Sequence, residues 1–213
     1  MSVLLWYNEN ICGESSAKIE GGFLDNIQEN NGGRGIIFDI YDTLSAVSYS
    51  SVFVLLLAIL FFRPVQVIGQ SMEPTFYDMD RVVIKSFLYS PDHGDVVVVD
   101  TTGKETEYPH IIKRVIGCAG DTVDIDSITG TVYVNGEPIP EPYIKEPIAP
   151  HSVGHFSYPL VVEDGKVFVM GDNRNNSSDS RFANIGQVDV KYVTGKVIFR
   201  FFPLDRFGGE FGG

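Results

Sequence analysis

Residues 43–62 form a stretch of the chain without a charged side chain. A helix of about 20 residues rises about 30 Å, which matches the hydrocarbon core of a bilayer. Pro64 is expected to end such a helix, because proline lacks an N–H and restricts the residue before it. A buried core helix would have a similar composition, whereas a cleaved signal peptide fits less well because a long, mostly polar segment precedes the stretch. We therefore predict a single transmembrane helix at 43–62.

After Pro64 the pattern changes to short β-branched runs bounded by Gly, Pro, Asn or Asp. Such runs are typical of β-strands, and the pair Asn135-Gly136 is typical of a hairpin turn. No helical period extends over more than a few residues here. The pattern predicts a mostly β ectodomain over residues 63–213. The predicted strands are 81–84, 95–100, 111–116, 122–125, 131–134, 166–170 and 192–199.

Residues 1–42, ahead of the predicted transmembrane helix, are rich in Asn, Gly and Glu. Low hydrophobicity and turn-forming glycine pairs predict an acidic, disordered tail. The positive-inside rule does not assign this tail to the cytoplasm. Arg34 is the only base near its end of the helix, while Arg63 and Arg81 follow the helix. Charge counting alone therefore favours the opposite orientation.

The composition argues against several classes of function. The net charge of −12 disfavours a nucleic-acid partner, because such a protein needs a basic surface to contact phosphates. The two cysteines, Cys12 and Cys118, cannot build a disulfide framework, and none of the four histidines has a metal-binding spacing such as H-E-x-x-H. We expect no metal ion and no cofactor. Cys118 is interpreted as a small buried apolar residue, since Cys12 lies on the other side of the predicted helix.

Two side chains of the β region are candidates for a catalytic pair. Lys113 shares one face of a predicted strand with Ile111 and Val115. A lysine at a sheet edge is the ordinary explanation, but burial would lower its pKa and let the neutral amine act as a general base. Ser71 follows Gly69 in a segment without the G-x-S-x-G elbow, and an ordinary turn serine is its alternative interpretation. A Ser–Lys dyad would give both Ser71 and Lys113 a catalytic role, because some serine hydrolases use lysine in place of histidine.

Three motifs resemble those of the type I (bacterial) signal peptidases, serine peptidases with a Ser/Lys dyad. Residues 71–75 (S-M-E-P-T) resemble the nucleophile motif, and residues 113–121 (K-R-V-I-G-C-A-G-D) resemble the lysine motif. Residues 171–181 (G-D-N-R-N-N-S-S-D-S-R) resemble the last motif of the family. The resemblance covers about residues 44–203. It implies a transmembrane helix followed by a mostly β catalytic domain with a smaller inserted β region at about 124–165.

The resemblance also implies roles for individual residues. Ser71 is the implied nucleophile, Lys113 is its general base, and Ser177 is implied to hydrogen-bond the lysine amine and orient it. Supporting ion pairs are implied between Asp179 and Arg181, and between Asp172 and Arg114.

The weak charge asymmetry around the predicted helix is one departure from the family's pattern. The sequence departs from that pattern at two other places. Gly69 stands where some members have a serine that helps to bind the oxyanion, so the oxyanion hole would rest on backbone N–H groups, chiefly that of Ser71. Cys118-Ala119 replaces the usual Leu-Pro. Gly69, Met72 and Ile112 are the three candidate residues of the oxyanion hole and substrate pocket, and core packing is the alternative for Met72 and Ile112.

The resemblance implies a membrane-bound serine endopeptidase that cleaves signal peptides through an acyl-enzyme. Its partners would be the lipid bilayer and secretory preproteins with small residues at the cleavage site. The N-terminus would be cytoplasmic and the catalytic domain extracytoplasmic. A membrane-tethered β module that binds exported peptides without cleaving them is the alternative from another class. A self-cleaving repressor-type protease, and a cysteine transpeptidase based on Cys118, are weaker alternatives.

Overall fold

A long helix opens the part of the chain that is described in this computed structural model, which comprises residues 32–106, 108–209 and 211. The helix, α1, runs from Gly32 to Phe61. Its segment Gly35–Ile59 is long and apolar enough to cross a membrane, and none of that segment is buried within the protein. These properties are consistent with a membrane anchor. The chain divides into two compact units after Val52, and the sheets described below belong to the second unit.

The helix begins ahead of the predicted transmembrane segment. Residues 32–42, which the sequence assigns to the polar tail, are helical. The reason is local, because Ile36, Ile37 and Phe38 extend the apolar character towards the N-terminus despite Asp39. The remainder of the predicted disordered tail, and Cys12 within it, lies outside the described residues.

Short strands make up most of the second unit, joined by turns and by short 3-10 helices at Pro150–Ser152, Val190–Tyr192 and Leu204–Arg206. The strands are β1 Phe62–Gln66, β2 Arg81–Lys85, β3 Val96–Asp100, β4 His110–Cys118, β5 Thr122–Ile125, β6 Val132–Val134, β7 Glu137–Pro138, β8 Leu160–Val161, β9 Lys166–Met170, β10 Val188–Asp189 and β11 Val193–Phe202. The predicted fold class, a single N-terminal helix followed by a mostly β domain, is confirmed.

The larger sheet has seven strands in the order β1-β2-β11-β3-β4-β9-β10, and its described pairings are all antiparallel. The C-terminal strand β11 inserts between β2 and β3, so its pairings join residues that are distant in sequence. Strand β1 lies at an edge, where Pro64 is tolerated because its missing N–H can face away from the ladder. Strand β4 lies in the interior, between β3 and β9.

The smaller sheet has four strands in the order β7-β6-β5-β8 and lies between β4 and β9 along the chain. It occupies the stretch in which the sequence places an inserted β region. Asn135 and Gly136 have φ of 55° and 84° and connect β6 to β7. This is the two-residue hairpin turn expected from the sequence.

Strand β4 contributes to three apolar clusters of the second unit. Ile112 packs in a cluster with Met72 and Phe76, and Ile116 packs in a second cluster with residues of the smaller sheet. Val115 belongs to a third cluster, formed by residues of β3, β9 and β10 with a neighbouring loop. Because apolar residues pack on both sides of β4, any polar side chain midway along this strand loses contact with water.

Candidate active site

Lys113 is the polar side chain in that position, and it is only 3% exposed. Its Nζ donates to Ser71 Oγ at 2.7 Å and to the carbonyl of Ile112 at 2.8 Å. Its burial therefore removes the ordinary explanation of a lysine that reaches solvent at a sheet edge. The hydrogen bond to Ser71 brings together the two residues that the sequence proposes as a catalytic pair.

Burial lowers the pKa of Lys113 from 10.5 to about 8, since the charged amine has lost its hydration. The carboxylates of Asp179 and Asp172 oppose this shift, and Arg181 adds to it. An amine with a pKa near 8 is neutral in a useful fraction of molecules at physiological pH. It can then accept a proton from a hydrogen-bonded hydroxyl.

Ser71 lies in a turn between β1 and β2 that other parts of the fold hold in place. Gly69 has a φ of 88°, which glycine adopts without strain, and its N–H donates to Asp78 Oδ1 at 2.8 Å. The carbonyl of Ser71 accepts from the N–H of Asn173 at 3.0 Å. Asn173 Nδ2 also donates to the carbonyl of Gln70 at 3.0 Å. The loop after β9 thus positions the candidate nucleophile through its backbone.

The N–H of Ser71 forms no hydrogen bond within the described part of the chain. It is therefore available as a donor to an oxyanion that forms at Ser71 Oγ. This agrees with the expectation that the chain relies on backbone donors where Gly69 replaces a serine.

Asp179 and Arg181 form a fully buried ion pair beside the candidate dyad. Arg181 Nε donates to Asp179 Oδ1 at 2.8 Å, and Arg181 Nη2 donates to Asp179 Oδ2 at 2.8 Å. Burial by itself would raise the pKa of Asp179, but the Arg181 guanidinium and further donors hold that pKa below its usual value. Asp179 therefore stays ionised and adds a fixed negative charge near Lys113.

A second buried ion pair joins β4 to the loop after β9. Arg114 Nε donates to Asp172 Oδ1 at 2.9 Å, and Arg114 Nη2 donates to Asp172 Oδ2 at 2.7 Å. Thr75 Oγ1 donates to Asp172 Oδ2 at 2.5 Å, which connects the pair to the turn that carries Ser71. Both ion pairs implied by the resemblance are formed.

Ser177 lies in the site but does not contact the lysine amine. Its Oγ donates to Asp179 Oδ2 at 2.8 Å, whereas the acceptors of Lys113 Nζ among the described residues are Ser71 and Ile112. A Cβ placed on Gly171 would lie 2.3 Å from Ser177 Oγ and 2.5 Å from the carbonyl of Ser71. In this structure Ser177 therefore supports Asp179 and packs beside the Ser71 turn.

A cavity of about 720 Å³ opens in front of Ser71 and Lys113. Gly69 and Ile112, two of the three candidate pocket residues, line it. Met72, the third, is fully buried in the core with Phe76, because the turn that directs the Ser71 hydroxyl towards the cavity directs the next side chain inward. The cavity walls are residues 65–71, Val98, residues 105–106 and 108–113, Asn176, Ser178, Asn184 and Ile185.

Sequence reasoning missed three residues that position the dyad. Asn173 and Thr75 hold the Ser71 turn, and Asp78 holds Gly69. Asn173 and Thr75 lie inside recognised motifs, which was a signal for their importance. Asp78 lies outside every motif, and only the folded turn reveals its contact.

These features define a class of protein: a mostly β domain behind an apolar helix, with a serine hydroxyl beside a buried lysine of lowered pKa. This is the arrangement of serine hydrolases that use lysine as the base. Residues 40–202 match the family "Signal peptidase, peptidase S26". The chain belongs to this family of membrane-anchored serine peptidases.

Individual relatives agree with the assignment. The chain is 37% identical over 176 residues to a signal peptidase I from Bacillus licheniformis, a match that covers 78% of this chain and 91% of the relative. It is 36% identical over 179 residues to a probable signal peptidase I-1 from Synechocystis, covering 79% of this chain and 86% of the relative. A crystal structure of a signal peptidase I from Enterococcus faecalis aligns at 26% identity over 51% of this chain and 97% of that chain, with a TM-score of 0.40. That score is too low to transfer details of the fold.

Proposed function

We propose that this protein cleaves signal peptides from secretory preproteins, with Ser71 as nucleophile and Lys113 as general base. One observation carries the proposal: a buried amine, with its pKa lowered to about 8, donates a 2.7 Å hydrogen bond to the serine hydroxyl. Family membership supports the substrate class, because the relatives are signal peptidases.

The proposed reaction has two stages. Neutral Lys113 accepts the proton of Ser71 Oγ while that oxygen attacks the scissile carbonyl, and the N–H of Ser71 stabilises the oxyanion. The lysine then gives its proton to the leaving amine, and the mature protein departs. Water, deprotonated by the same amine, hydrolyses the acyl-enzyme and regenerates Ser71.

The free backbone edges around the cavity support binding of an extended peptide. Strand β1 pairs only with β2 within the described sheet, and β4 pairs with β9 only from Arg114 onwards. The stretch around 110–113 therefore faces the cavity without a strand on that side. A peptide can add to such an edge by backbone hydrogen bonds, while the cavity accepts small side chains near the scissile bond. The proposed substrates have small residues at the cleavage site.

We further propose that α1 anchors the protein in the cell membrane with its N-terminus in the cytoplasm and residues 63–213 outside. Exposed apolar side chains of the second unit, among them Phe202 at 47% and Phe207 at 60% exposure, support contact with the lipid surface. Protease added to intact spheroplasts should digest the catalytic domain. Digestion only after lysis would overturn this orientation.

The function is tested with the full chain in detergent and a purified preprotein. Intact mass should show one cut, directly after a small residue at the end of the signal peptide. Replacing that small substrate residue by tryptophan should abolish the cut, because the proposed substrates require a small residue at this position. Binding without any cut would instead favour the non-catalytic peptide-binding module.

The pH dependence of that cleavage tests the role of Lys113. Only the neutral amine can accept the serine proton, and its pKa is about 8. We therefore expect kcat/KM to fall about tenfold per pH unit below that value and to level off above it. Initial rates at low substrate concentration give kcat/KM directly. A flat profile between about pH 6 and 9 is incompatible with Lys113 as the base.

A further inference from the structure

A cluster of three potential metal ligands lies outside the candidate active site. Asp92 and His93 belong to the loop between β2 and β3, and Cys118 ends β4. One ligand atom from each lies within 4.8 Å of the others. None of the three lines the cavity in front of Ser71 and Lys113, so the cluster is separate from the peptidase chemistry.

The distances within the cluster approach those of a tetrahedral site. His93 Nδ1 lies 3.3 Å from Asp92 Oδ1, which is about the edge of a tetrahedron with metal–ligand bonds of roughly 2.0 Å. All three ligand atoms lie within 4.8 Å of one another, so the cluster is at most about 1.5 Å wider than such an edge. The Asp92 side chain is 83% exposed, so it can rotate towards a bound ion.

The second ring nitrogen of His93 is held as in known zinc sites. His93 Nε2 lies 2.6 Å from Asp121 Oδ2, and the Asp121 side chain is only 14% exposed. Asp121 is itself fixed, because it accepts from the N–H of Cys118 and from Asn135 Nδ2, each at 2.7 Å. A carboxylate that accepts the Nε2 proton orients the ring and leaves the Nδ1 lone pair for a metal.

In this structure the Nδ1 lone pair of His93 faces another hydrogen-bond acceptor. With the Nε2 proton directed to Asp121, Nδ1 of His93 faces the Asp92 carboxylate at 3.3 Å. With that tautomer both atoms are acceptors, and a cation placed between them would be bound by both. This contact is independent of Cys118, and it indicates where a cation would lie.

The local charge also favours a cation. The carboxylates of Asp121, Asp92 and Asp95 lie close enough to the Cys118 thiol to act on it electrostatically. The same negative charges attract a divalent ion, which would form a bond to sulfur while the thiol proton passes to solvent. A set of one imidazole, one thiolate and one carboxylate suits Zn²⁺ or Co²⁺ better than Mg²⁺ or Ca²⁺.

We propose that Asp92, His93 and Cys118 bind one divalent ion of the zinc type, with Asp121 orienting the His93 ring. Water would complete the tetrahedron. The ion would connect the loop between β2 and β3 to the end of β4.

The test uses the full chain in detergent with Cys12→Ser, so that Cys118 is the only thiol. Titration with Co²⁺ should reach one equivalent and give the visible d–d bands of tetrahedral cobalt together with a thiolate-to-cobalt charge-transfer band. Equimolar Zn²⁺ should displace the cobalt and remove both signals. Absence of the charge-transfer band in this background would overturn the proposal.

Further variants in the same background assign the ligands. Cys118→Ser should remove the charge-transfer band, and His93→Gln should weaken Co²⁺ binding at least about a hundredfold. Asp121→Asn should weaken it by about 10–100-fold while keeping the band. His110→Gln is the matched control, because His110 also lies near a carboxylate, 4.0 Å from Asp100 Oδ1, but belongs to no such cluster. Equal cobalt affinity of His93→Gln and His110→Gln would contradict the assignment.

Discussion

Replacing Ser71 by alanine or Lys113 by methionine is expected to lower preprotein cleavage at least about a thousandfold. Ser71→Ala removes the nucleophile. Lys113→Met keeps an unbranched apolar side chain in the buried site but removes the amine that takes the proton. Both groups act in one proton transfer across the 2.7 Å contact, so each single variant should lose nearly all of the rate. The double variant should be little worse than either one.

The assay compares initial rates of the four proteins on one preprotein in detergent, with the mass of the product as readout. Ser127→Ala and Lys191→Met are matched controls, since they make the same replacements at exposed positions and should leave the rate unchanged. The circular dichroism spectrum should be the same for all variants, because methionine is easily accommodated where a buried amine was. Strictly additive effects of the two substitutions would show that Ser71 and Lys113 do not act as a unit.

The strands of the second unit could be predicted because their signals are local. The predicted runs 81–84, 111–116 and 166–170 correspond to β2, β4 and β9. Strands β7, β8 and β10 have two residues each, too few to show any alternation of apolar and polar side chains. Strand β1 contains Pro64, which argues against a strand unless it lies at an edge. The order of the strands was not predictable, because β11 joins the sheet far from its neighbours in sequence.

The burial of Lys113 is a feature of the candidate site that depends on how the strands are arranged in the folded domain. Its strand neighbours allow either an edge lysine or a buried one, and only the packing of the folded domain around Lys113 decides between them. The motif resemblance proposed Ser71 and Lys113 without this information. It could not show that Ser177 contacts Asp179 in place of the amine, since that contact depends on side-chain orientation.

The Asp92–His93–Cys118 cluster could not be predicted from the sequence, because its residues come together only in the folded protein. Histidine spacings reveal a metal site only when the ligands share one helix or one loop. Here the ligands are separated by strands β3 and most of β4, and the fold alone brings them together. The fold places Cys118, which is half-buried, at the end of β4 beside the other two residues.

Replacing Arg181 by methionine is expected to lower the free energy of unfolding by about 3–5 kcal/mol, the usual result of breaking a buried pair. The variant leaves the Asp179 carboxylate fully buried without its counter-charge. It also removes the donors to the carbonyls of Ser152 and Arg174, each at a hydrogen-bond distance below 3 Å. Urea unfolding of the full chain in detergent, followed by circular dichroism, measures this loss.

The pH dependence of the free energy of unfolding distinguishes the contribution of the Asp179–Arg181 charges from that of packing. The pKa of Asp179 is lowered in the folded protein, so the pair contributes stability above the unfolded carboxyl pKa of about 3.9 and loses it as pH falls through the folded value. The stability gap between wild type and Arg181→Met should therefore be full at pH 7 and shrink under acid conditions. A gap that stays constant down to acid pH would mean that packing, and not charge, accounts for it.

Two further variants separate the unpaired charge from the lost contacts. Arg181→Met combined with Asp179→Asn should be more stable than Arg181→Met alone, because no ion is then left buried. Lys191→Met breaks the exposed ion pair with Asp189, where water already solvates both groups, and should leave stability unchanged. If the double variant were no more stable than Arg181→Met, the isolated carboxylate would not be the cause of the loss. The pair would then act on the fold through the guanidinium's contacts with Ser152 and Arg174.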